Sequence, residues 1–169
     1  GGDGGDELFG GYEHYSRLLW MNKYFKFMPL FLRQSAATIS SKTMPLGMKG
    51  RSWIQSLRYN LKTEVPLIAN YFDPAYRKKL MIGSFPEWQL VGEDMLSVSK
   101  PIETELLQRS TRMDFHNYLT EDILVKVDRA SMLNSLEIRA PFLDKNLIEF
   151  AFKKVPSCLK ATSQNKKII

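Results

Sequence analysis

Six of the ten glycines in this 169-residue chain fall within its first eleven positions. Glycine in a helix or strand interior costs about 1 kcal/mol relative to alanine, so this density marks a backbone site. The run reads Gly1-Gly2-Asp3-Gly4-Gly5-Asp6-Glu7-Leu8-Phe9-Gly10-Gly11-Tyr12. Sites of this kind normally follow a β-strand. The expectation is therefore a chain that lacks its upstream part and stops at apolar Ile168-Ile169 without a helix-stop signal.

Beyond the loop the periodicity is helical. Asp6 is placed to cap a helix carrying Leu8, Phe9, Tyr12, Tyr15, Leu18 and Leu19, within which Gly10 and Gly11 serve close packing or ligand approach. Pro29 suits the first turn of a helix over 30–39, and 40–50 reads as a connector. Further helices are predicted over 53–61, from Asp73-Pro74 to about residue 80, over 103–119, from an N-cap at Thr120 to about 133, and from an Asp144 cap to 153. Residues 83–100 read as a loop with room for one short helix, and Pro141 pushes the stretch before it toward extended geometry. No convincing strand is found, and length predicts one packed unit.

The loop combines two chemistries. Converging backbone N–H groups suit an anion, while Asp3 and Asp6 bring carboxylates to the same phosphate, the arrangement Mg²⁺ needs as a bridge. It lacks the Gly-Lys-Ser/Thr of a Walker loop, the Gly-x-Gly-x-x-Gly dinucleotide spacing and the alternating acids of a calcium loop. The plainer alternative is a glycine turn whose solvated acids cap a helix. Later in the chain Asp122, Lys126 and Arg129 fall at i, i+4 and i+7 on one helix face. They form either a solvated surface pair or a polar wall facing phosphate or carboxylate. Glu137 and Arg139 either pair or line a site.

Composition excludes several classes. No apolar run approaches the roughly 20 residues of a membrane span, and the opening glycines and acids do not read as a secretory leader. The net charge of +6 is scattered, which argues against nucleic acid. A single cysteine, Cys158, and two histidines give neither an internal disulfide nor a zinc site. A cytoplasmic location is expected.

The opening loop resembles the first signature of the asparagine synthetase family. The block Tyr118-Leu119-Thr120-Glu121-Asp122-Ile123-Leu124-Val125-Lys126-Val127-Asp128-Arg129-Ala130-Ser131-Met132 resembles its second, continuing through Ser135 to Asp144. The resemblance covers both ends of the chain, and residues 20–100 match only in helical character. It implies a mainly α fold, the helical C-terminal portion of an α/β pyrophosphate-loop (adenine nucleotide hydrolase-like) synthetase domain with its sheet upstream. Residues 1–12 would be the glycine/acid loop, 13–100 a helical region, and 101–169 the second block and C-terminal segment. The implied reaction uses ATP and Mg²⁺ to adenylate aspartate, and ammonia from glutamine then displaces AMP. Asp3 would lie near the adenylate and handle protons of the incoming ammonia. Asp6 would hold Mg²⁺ and pyrophosphate, and Gly2 and Gly4 would supply backbone near the nucleotide. Lys126, Arg129 and Asp122 would face the cleft, and Lys166 would meet pyrophosphate. Gly1 departs from the family's usual serine.

The implied partners are small molecules together with upstream pyrophosphate-loop and glutaminase regions, with no nucleic acid or membrane. Self-association is open where apolar faces lack the sheet, and weak ATP binding is expected of this chain alone. A different acceptor acid, as in β-lactam-forming, peptide-cyclising or surface-sugar amidating relatives, is the alternative within the family. A non-enzymatic helical interaction module is the alternative outside it.

Overall fold

The computed structural model describes residues 1–45, 47–66 and 105–162, and among these it is helical with no β-strand. Length predicts a single packed unit, yet the contacts separate two compact units, one of residues 1–23 with 103–169 and one of 24–102. No helix among the described residues is long and apolar enough to cross a membrane.

The helix expected from Asp6 to Leu19 is instead two. Helix α1 (Gly5–Phe9) is short because Gly4 before it and Gly10 after it both take left-handed backbone, with φ of 92° and 72°. The Gly10 and Gly11 N–H groups both turn back to the Asp6 carbonyl, closing the helix as a left-handed C-terminal cap. Asp6 therefore sits inside the first turn, and its side chain caps nothing. Helix α2 (Glu13–Phe25) follows, burying Tyr15, Leu18 and Met21 at helical spacing.

In the second unit, α3 (Leu30–Thr43) follows Pro29 as expected but runs into the predicted connector. Helix α4 (Arg51–Ser56) begins earlier and ends sooner than its apolar stripe suggests. Buried Arg51 explains the join, because its guanidinium donates to the carbonyls of Ser41 and Met44 at the end of α3. The helix expected from Asp73 and the loop over 83–100 lie outside the described residues.

The second signature block departs most from expectation. Helix α5 (Leu106–Asp114) does not end before Thr120. It continues as a π-helix over Phe115–Ile123 and then as α6 (Leu124–Met132). Thr120 is no N-cap, since its hydroxyl donates to the His116 carbonyl at 2.7 Å from within the π-helix. Helix α6 closes at Ser135, a left-handed residue with φ of 54°, where the Leu136 N–H reaches Ser131 O and the Ser135 N–H reaches Met132 O. Ala140 is extended before Pro141 as expected, and a 3₁₀ turn (Pro141–Leu143) leads to α7 (Lys145–Lys153). Asp144 caps α7 through Oδ1, accepting the N–H of Asn146 at 2.9 Å and of Leu147 at 3.3 Å. Helix α8 (Ser157–Lys160) is the last described helix of the first unit and leaves Cys158 exposed.

Candidate functional site

The site is built where the two ends of the first unit meet. The Gly1 nitrogen donates to the Arg139 carbonyl at 2.9 Å. A Cβ on Gly4 would lie 2.6 Å from Leu143 Cδ2, and one on Gly5 would lie 3.7 Å from the Phe142 ring. Phe9 closes the contact by meeting Phe142 edge-on at 6.2 Å. Several loop glycines thus serve close backbone approach to the second block, in addition to any ligand. At the other end of α1, Gly10 packs on Lys160 and Ala161, where a Cβ would find atoms at 3.4–3.6 Å.

Behind the loop lies a polar and aromatic cluster that sequence reasoning did not single out. Glu7 is 1% exposed, and Tyr12 donates its hydroxyl to Glu7 Oε1 at 2.8 Å. Burial raises the Glu7 carboxyl above its usual range, and the Tyr12 hydrogen bond pulls it partly back down. Burial, and after it the Glu7 carboxylate, push the Tyr12 hydroxyl far upward, so it remains a donor. His14 Nε2 lies 2.8 Å from Asp114 Oδ2 on α5. The His14 ring stacks on Tyr12 at 5.3 Å and meets Tyr15 at 4.2 Å. Tyr15 is fully buried, and burial, with Asp114 next in effect, raises its hydroxyl well above the ordinary value. Tyr12 also meets Tyr118 of the π-helix at 6.0 Å. This network ties the loop to α5 and the π-helix from beneath.

The predicted residues divide by environment. Gly2 and Asp6 are exposed, Asp3 is half-buried and Gly4 is buried. The Asp3 carboxylate occupies the space that a Cβ on Gly1 would take, so a serine there would displace it. The Asp6 carboxylate lies over Gly11 in the same way. On the second block, Lys126 Nζ meets the Asp122 carboxylate at 2.6 Å with the side chains 69% and 36% exposed, an i,i+4 surface pair. Arg129 is exposed and makes no ion pair among the described residues. Arg139 pairs with Glu137 at 3.0 Å, also on the surface. Lys166 lies outside the described residues.

No group of three or more His, Cys, Asp or Glu side chains that could hold a metal ion occurs among the described residues. Magnesium, however, usually takes one or two carboxylates plus substrate phosphates. Asp6, exposed in a glycine loop with Asp3 three residues before it, suits that mode and no closed cage.

The sequence matches the asparagine synthase family over residues 1–169. It is 30% identical over 168 residues to asparagine synthetase (glutamine-hydrolyzing) 1 of Bacillus subtilis, covering 99% of this chain and 26% of that protein. It is 33% identical over 161 residues to a Mycobacterium tuberculosis protein provisionally named asparagine synthetase (glutamine-hydrolyzing), covering 95% of this chain and 24% of the relative. A Mycobacterium bovis protein of the same name matches equally. The chain thus spans about a quarter of the length of these relatives. No solved structure matches it.

Proposed function

This chain belongs to the asparagine synthase family, and from that premise we propose that it forms one wall of an ATP-dependent amide-forming site. The reading rests on the meeting of the two signature blocks, where Gly1 bonds Arg139 and Gly4 packs on Leu143 across most of the chain length. In the reaction proposed for the whole protein, the aspartate side-chain carboxylate attacks the α-phosphorus of ATP and pyrophosphate leaves. Ammonia derived from glutamine then attacks the acyl carbon, AMP departs, and the excess proton passes to a nearby base. Asp3 is proposed for that base, since its half-buried carboxylate sits at the mouth of the loop.

Asp6 would hold Mg²⁺ in company with the nucleotide phosphates. The ion would supply charge neutralisation at phosphate oxygens. Gly2 and Gly4 would let the backbone approach the nucleotide. Asp122, Lys126 and Arg129 are proposed to face substrate anions once the rest of the synthetase domain covers them, and Lys166 to meet pyrophosphate. That remaining part would contribute the pyrophosphate loop, the parallel sheet and the glutaminase. This chain alone is accordingly proposed to be inactive and to bind ATP weakly. A cytoplasmic ligase of amino-acid biosynthesis is the role that fits.

Assaying the full-length protein with ATP, Mg²⁺, aspartate and either glutamine or ammonia tests the reading. AMP and pyrophosphate are the expected products, and ADP with phosphate would sink the mechanism. Exchange of labelled pyrophosphate into ATP across a panel of carboxylic acids separates aspartate from another acceptor within the family. Asp6→Asn is expected to lower turnover on the order of 100-fold, the size seen when one electrostatic stabiliser is lost. Its melting temperature should hardly move, because the Asp6 side chain makes no helix cap. Near-normal turnover at saturating Mg²⁺ would remove Asp6 from the site.

A further inference from the structure

Among its described residues the first unit buries a lysine ammonium and the Nε of an arginine with no hydrogen-bonding partner for either. Lys160, at the end of α8, is fully buried and its Nζ makes no hydrogen bond. Nε of Arg112 on α5 is likewise buried and unbonded. Both charges lie against one ring, with Lys160 Nζ at 5.2 Å and the Arg112 guanidinium carbon at 5.3 Å from the centroid of Phe152. A ring face attracts a cation but leaves most of its N–H donors unanswered. Burial, followed by the charge of Arg112, lowers the Lys160 ammonium to about 8, so it stays protonated at neutral pH. Among the described residues the buried acids are engaged, Glu7 by Tyr12 and Asp114 by His14. Buried charges are normally paired, because leaving one alone forfeits its hydration without return.

We propose that Lys160 and Arg112 form a binding site for a phosphate-class oxyanion behind the acid loop. Two cations from different helices suit a doubly charged tetrahedral anion, whereas a single carboxylate would leave one charge uncovered. The position is separate from the proposed nucleotide wall. Lys160 packs at Gly10, the C-terminal end of α1, while Asp3 and Gly4 lie at its N-terminal end. The inference does not rest on amide formation.

The test titrates the full chain with inorganic phosphate, and separately with ATP in Mg²⁺-free buffer. Its readouts are melting temperature and the NMR titration of the Lys160 ammonium. A saturable rise in melting temperature is expected, with the Lys160 ammonium titrating at higher pH when phosphate is bound. Lys160→Met and Arg112→Gln should each weaken binding at least tenfold, while Lys153→Met on the exposed face of α7 should not. If only ATP acts and Lys160→Met abolishes the effect, the anion is a nucleotide phosphate; if phosphate alone suffices, it is the free ion. Either result supports the site. The Asp6→Asn chain should respond as the wild type, which separates this outcome from the fate of the nucleotide reading. Should Lys160→Met fail to fold, the wild-type ammonium titration decides. An unchanged Lys160 titration, or a response that survives both substitutions, overturns the proposal.

Discussion

The acid loop and the polar face of the second block carry equally recognisable motifs, yet they are held in opposite ways. The loop is fixed by contacts far apart in sequence, from Gly1 to Arg139 and from His14 to Asp114, over a buried Glu7–Tyr12 bond. The Asp122–Lys126–Arg129 face rests on solvent, with one local pair and a guanidinium that has no ion pair among the described residues. The first region has its shape already built in. The second has residues whose chemistry awaits a covering surface. A motif therefore identifies chemistry without saying whether the geometry is finished.

The sharpest way to break this contrast is Tyr12→Phe. It leaves the Glu7 carboxylate buried without its donor, a loss of about 2 kcal/mol, measurable by urea denaturation at neutral pH. Because burial raises the Glu7 carboxyl, its neutral form is the one the fold favours. Stability from this group is fully present below its unfolded value and falls as pH rises through the raised folded value. The hydroxyl matters only to the charged form in that sense, so the penalty should shrink toward pH 4; a pH-independent loss would assign the effect to packing.

Gly4→Ala comes next. Its φ of 92° costs a side chain about 1–2 kcal/mol, and the new methyl must push aside the end of Leu143. Stability unchanged to within about 0.5 kcal/mol would mean that the loop is not held as described. Ser135→Gly should work in the other direction. It relieves a left-handed serine at the cap of α6 and should gain about 1 kcal/mol, read as a higher denaturation midpoint with unchanged slope. Lys126→Ala is the smallest effect. The exposed pair contributes below about 0.5 kcal/mol and should vanish in high salt. A larger, salt-resistant loss would show that this face is already covered and would erase the contrast.

What was legible follows the same division. Asp144 and its helix to Lys153 could be read directly, because a cap and its helix are neighbours in sequence. Asp3 and Asp6 stood out in the sequence through the glycines around them, and their roles belong to the proposal above. Glu7, His14 and Asp114 were not, since nothing local announces that residues 100 positions apart will meet within hydrogen-bonding distance. The only signal was an acid set between Asp6 and apolar Leu8, with a tyrosine five residues on. Lys160 looked like any surface lysine, although Pro156 and Leu159 beside it hinted at a covered segment. The break at Gly10 and the continuation through Thr120 were missed for one reason. Both depend on hydrogen bonds that shift by one residue, five apart where four were assumed.

The π-helix over Phe115–Ile123 has a consequence for how this region tolerates change. A π-turn amounts to an α-turn that has absorbed an extra residue, so the segment works as a spare link in an otherwise taut rod. Removing one residue there would let the rod close into ordinary α geometry without breaking it. The helix beyond it would keep its face, because the wider turn has already taken up the extra residue's rotation of about 100°. Lys126 and Arg129 would keep their direction while α5 stayed seated on the loop. The same deletion inside α6 would instead turn every residue after it by about 100°, so this one place tolerates a change of length that its neighbours do not.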